Sequence, residues 1–179
     1  MDEPLYTLAP GVSSHGRLDA IYAHVDALGY VVRDIPGWLA RVWRHSTTAP
    51  WSVIYLHPNA PAGGIVTEAA VMGHEATHAR QFIRAGRWGR YWLAALYAFL
   101  PWPYTRRWME LEAEAWETAT AGAMMNADAT PEEMEPHVSA RALGGWRWPH
   151  FTGGSRGAML AEVRVRAAHL LERARAGRE

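Results

Sequence analysis

The residues best suited to chemistry are His74, Glu75 and His78, in the run His-Glu-Ala-Thr-His. Positions i and i+4 of an α-helix lie about 40° apart around its axis. Both imidazoles can therefore reach one metal ion, and Glu75 projects beside them toward a water on that metal. Val71, His74, His78 and Phe82 keep helical spacing, and no proline interrupts them. A strand is expected before this helix, and Trp51 to Leu56, WSVIYL, has the β-branched and aromatic content of one.

Two histidines leave a zinc site one protein ligand short. An extended HExxHxxGxxH site would need glycine at 81 and histidine at 84, where this chain has Gln81 and Arg84. The third ligand is then expected on a later helix. The stretch Trp108 to Glu117, WMELEAEAWE, supplies acids: Glu110, Glu114 and Glu117 share one helical face. Glu112 points the other way and reads as solvated. Gln81 likewise reads as an exposed helix residue.

These residues resemble the gluzincin class of zinc metallopeptidases, in which a HExxH helix is followed by a helix carrying an ExxxD-like pair. The run HEATHARQF, an apolar helix and then ELEAEAW is also similar to small bacterial and phage-borne proteins of metallopeptidase type, with HExxHxxQ and a later ExEA segment. The resemblance spans roughly residues 74 to 117. It implies that Glu110 is the third ligand, with Glu114 as the acid hydrogen-bonded to a ligand histidine and as the main competitor for the ligand role. It implies one Zn²⁺ per chain, a peptide or protein substrate, and a minimal zincin-like domain. Glutamate in place of aspartate at 114 departs from the pattern.

Such a site hydrolyses peptide bonds with water activated by the metal. Glu75 would take the proton and pass it to the leaving amine. An oxyanion donor is also needed. Tyr91, Tyr104, His137, Arg141 and His150 are the candidates. The stretch GWRWPHFTGGSRG has glycines to hinge and aromatics to cover a cleft.

The elements that must position these groups are mostly helical. Ser14 is placed to cap a helix over 15–28 that Gly29 stops. A strand is expected over 30–35, and 38–44 is ambiguous. Helices follow over 65–85, with Gly86 as a stop, and over 91–100, 105–125, 130–143 and 158–176. Thr130-Pro131-Glu132-Glu133 reads as a helix start. The expected fold is mostly α (α+β): the HExxH and glutamate helices packed beside a short sheet in one domain, 1–179.

Composition narrows the chemistry. The 179 residues are 49% hydrophobic and 20% charged, ordinary for a folded domain. There is no cysteine, so disulfides, thiolate metal sites and cysteine nucleophiles are excluded. Eighteen basic and 18 acidic residues balance, which argues against nucleic-acid binding through a global positive field. Neither a signal peptide nor a transmembrane span is expected, so the location reads as cytoplasmic, with association to a virion as a variant. The apolar run 91–104 reads first as core. Its flanking arginines also suit a protein partner or a membrane surface. Beside the peptidase stand two alternatives: a structural or interaction protein of zincin fold without useful turnover, such as a phage virion component, and a peripheral membrane protein.

Overall fold

A computed structural model describes residues 4–9, 11–41, 45–99, 103–125 and 156–176. After a 3-10 turn at Leu5–Leu8, helix α1 runs Ser14–Ala27. Its cap is Ser13, one residue before the expected one: Ser13 Oγ accepts the Gly16 amide at 3.1 Å. Gly29, with φ of 74°, turns the chain out of α1 as expected.

Strand β1 is Val31–Asp34, followed by a short helix α2, Gly37–Ala40. Strands β2, Thr47–Ala49, and β3, Val53–Leu56, form a hairpin. Its three-residue loop ends on Ser52 at φ 65°, the left-handed residue that such loops use to close. Trp51 and Ser52 thus belong to the turn and not to the strand expected over 51–56. Strand β3 is central: β1 pairs with it in parallel and β2 antiparallel, giving the order β1-β3-β2.

Helix α3, Asn59–Ala62, leads into α4, Ile65–Arg84. Helix α5, Gly86–Phe99, begins five residues earlier than expected, and α6 spans Pro103–Met125. The last described helix, α7, is Arg156–Ala176. The helix expected over 130–143 and residues 145–155 of the aromatic loop lie outside the described residues; Arg156 and Gly157, expected to end that loop, instead begin α7. The molecule is mostly helical with one small sheet. No described helix is long and apolar enough to cross a membrane.

Helix α4 is buried on most sides, which explains its many small residues. Ala69, Met72, Ala76 and Ala79 join Ile21 and Val25 of α1, and Ile54 and Leu56 of β3, in one core cluster. Tyr22 Oη of α1 donates to Glu68 Oε1 at 2.7 Å, tying α1 to the first turn of α4. A second cluster lies beyond α6, where Trp116, Ala119 and Ala123 meet Ala167, Leu170 and Leu171 of α7. Between these clusters α4 packs directly on α6. A Cβ added at Gly73 would stand 2.7 Å from Thr120 Oγ1, so glycine is what permits this approach beside His74.

Candidate metal centre

The approach of α4 to α6 brings the histidines and the glutamate face together. His74 Nε2 and His78 Nε2 are 3.1 Å apart. One Glu110 oxygen lies 3.6 Å from His74 Nε2, and the other lies 3.6 Å from His78 Nε2. Glu110 is buried. A tetrahedral zinc with bonds of about 2.0–2.2 Å spaces its ligand atoms by about 3.3–3.6 Å. The two 3.6 Å separations, which end on different oxygens of Glu110, match this spacing and the 3.1 Å separation is slightly shorter, so the cluster is geometrically possible as a metal site.

The outer nitrogens of the two rings also face polar groups of α4 and α6. Gln81 Nε2 donates to Met109 O at 3.0 Å and to Glu112 Oε2 at 2.9 Å. Both partners can only accept, so the orientation of the amide is settled and Oε1 is the end that meets His78 Nδ1, at 2.9 Å. His78 Nδ1 must then be the donor to Oε1, with Nε2 turned toward His74 and Glu110. Gln81 is 1% exposed, against the expectation of a solvated side chain. Glu112 is also engaged, accepting from Gln81 and pairing with Arg84 at 3.1 Å. Neither engagement could be foreseen, because both depend on acceptors and donors carried by the opposing helix.

For His74 the facing group is Glu117, whose Oε2 lies 2.9 Å from Nδ1. The resemblance had put Glu114 in that role. Glu114 sits beside it: His74, Glu114 and Glu117 form a second group whose ligand atoms lie within 4.8 Å of one another. Burial pulls the His74 pKa down. The carboxylates of Glu117, Glu110 and Glu114 outweigh it, and the net shift is well upward. Burial raises the Glu114 pKa, Glu117 adds to this, and His74 opposes it. The pocket is thus rich in carboxylates that repel one another, an electrostatic setting that favours a bound cation.

Glu75 lies on the sheet side of α4 and is 5% exposed. Thr48 Oγ1 of β2 stands 2.7 Å from Glu75 Oε2 and 2.9 Å from the Glu75 carbonyl oxygen. Sequence reading missed Thr48, because a three-residue strand carries no periodicity to find.

The candidate oxyanion donors are not brought to the cluster by any described contact. Tyr91 is exposed on α5, and its hydroxyl accepts from Arg90 Nη2 at 3.4 Å. The side chain of Tyr104, and His137, Arg141 and His150 entirely, lie outside the described residues. Comparison with known protein families, curated proteins and solved structures returned no match.

Proposed function

We propose that this chain is a zinc-dependent hydrolase of peptide bonds, with His74, His78 and Glu110 as ligands and Glu75 as general base. The observation that carries the proposal is the convergence of His74 Nε2, His78 Nε2 and the Glu110 carboxylate, which presents one oxygen to each ring, at separations of 3.1 to 3.6 Å on two packed helices. When bound, zinc would supply Lewis-acid polarisation of a carbonyl and would acidify water toward neutral pH. Gln81 keeps the His78 proton on Nδ1, and Glu117 faces the corresponding nitrogen of His74. Thr48 holds one oxygen of Glu75. The other oxygen is left to take a proton from water and to return it to the amine that leaves when the C–N bond breaks.

The alternative is a metal-stabilised protein without turnover. The burial of Glu75 and its engagement by Thr48 favour it. Both functions are tested by elemental analysis of the purified chain beside Glu110→Ala, Glu114→Ala and Glu75→Ala, with a mixed fluorogenic peptide library as substrate. The peptidase function predicts about one zinc per chain, lost in Glu110→Ala and reduced only modestly in Glu114→Ala. Glu75→Ala should retain zinc and lose about 10²- to 10⁴-fold in turnover. Zinc binding without cleavage of any peptide would favour the alternative. No zinc after reconstitution would sink both.

A further inference from the structure

Between Glu75 and Glu110 the sequence has no acidic residue but carries Arg80, Arg84, Arg87, Arg90, Arg106 and Arg107. In the fold Arg80 is buried and Arg84 pairs with Glu112, so the positive charge that the described part of this stretch presents beside exposed rings is carried by Arg87 and Arg90 of helix α5. Trp88 and Trp92 are 72% and 71% exposed, and Leu96 continues their line at spacing i, i+4, i+8. Tyr91 is exposed alongside. Gly89, Leu93 and Ala94 are more covered, so the helix has a definite outer face, and that face is the apolar one.

The arginines are held among these rings. The Arg87 guanidinium lies 5.6 Å from the Trp88 ring centre, and that of Arg90 lies 5.1 Å from the Tyr91 ring centre. Arg90 Nη1 also reaches Ser52 Oγ at 3.5 Å, next to Trp51, a further exposed tryptophan on the hairpin. Tryptophan, tyrosine and arginine together are the side chains that suit a bilayer's headgroup region, where a ring is half immersed and a guanidinium meets phosphate.

We propose that α5 seats the protein on the surface of a bilayer containing anionic lipid, with Trp88, Trp92 and Leu96 in the acyl boundary and Arg87 and Arg90 on headgroup phosphates. At 14 residues α5 is about 21 Å long, and it lies along the surface. A second copy fits this face poorly. A two-fold interface through this face would place Arg87 and Arg90 of both copies at its edge, with no acid on the helix to offset them. Single-stranded nucleic acid would engage the rings and arginines but leaves Leu96 without a role.

The test is flotation of the full chain with phosphatidylcholine vesicles, with and without phosphatidylglycerol, at low and high salt. Binding should require the anionic lipid and weaken with salt. The double variant Trp88→Ser/Trp92→Ser should lose at least about tenfold in vesicle partitioning, and Arg87→Ala should lose a smaller part. Both substitutions sit on exposed side chains, and an unchanged circular dichroism melt would confirm that the fold is kept. Failure of the wild type to float with anionic vesicles overturns the proposal. So does flotation that neither variant reduces. A dimer, or an oligonucleotide complex, that the tryptophan variant abolishes while vesicles are ignored would reassign the face and also overturn it. None of these outcomes depends on zinc or on peptidase activity.

Discussion

Gln81 shows how much one polar side chain can decide. It spends its amide hydrogens on Met109 O and Glu112, and so has only a carbonyl oxygen left for His78. That single constraint makes Nδ1 the donor and turns Nε2 toward Glu110. Groups that orient ligand histidines typically contribute 10- to 100-fold to metal affinity. If the chain binds zinc as proposed, Gln81→Leu should therefore weaken that binding by about 10- to 100-fold, measured by competition with a chromophoric chelator. It should also lower stability, because Met109 O loses its side-chain donor in a buried setting. An unchanged zinc affinity would show that His78 keeps its orientation without Gln81.

At the scale of elements, the pocket depends on how closely α4 approaches α6. Gly73 sits where a side chain would meet Thr120, itself buried. Gly73→Val should force the helices apart or drive Thr120 from its rotamer, at a cost of about 1–3 kcal/mol. Urea unfolding measures this. Adding Thr120→Ala should recover part of the loss, since it removes the nearest atom from the added side chain. Equal stability of Gly73→Val and wild type would mean that the contact relaxes freely. The short strand β2 has a comparable role on the other side of α4, where Thr48 meets Glu75. Its place is set by antiparallel pairing with β3 and by the left-handed Ser52, not by any pattern of its own.

Across the whole molecule, folding also buries an ionisable group on α1. His24 of α1 is 8% exposed, lies edge-on to Tyr6 at 6.2 Å, and faces the side of α4 that carries Arg80. Burial, and then the Arg80 charge, lower its pKa to about 4. The unfolded chain holds this histidine near its ordinary value of about 6.5. Between these two values the unfolded state binds a proton that the folded state refuses, so stability falls as pH drops from about 6.5 toward 4. Above that window the contribution is fully present. His24→Leu should remove it: the loss of unfolding free energy between pH 7 and pH 5, read from urea titrations, should be smaller in the variant. An identical loss would show that His24 is protonated without penalty.

Much of the molecule could be read before any coordinates, because its long helices carry their own signals. HEATH at helical spacing commits two imidazoles to one side of α4 whatever surrounds them. Periodicity marks α4, α6 and α7, glycine marks the end of α1, and the missing cysteines limit metal ligands to histidine and carboxylate. The choice among acids was not legible in the same way. Glu110, Glu114 and Glu117 share a face, and periodicity says nothing about how far one helix slides or rotates against another. Tertiary packing placed Glu110 between the two Nε2 atoms and Glu117, not Glu114, at His74 Nδ1. Packing likewise buried Gln81, paired Glu112 and brought Thr48 to Glu75. It also left Tyr91, Trp92 and Leu96 facing outward, where the apolar run 91–104 alone reads as core. Local spacing determines which atoms can point the same way; only the packing of one element on another decides what they meet.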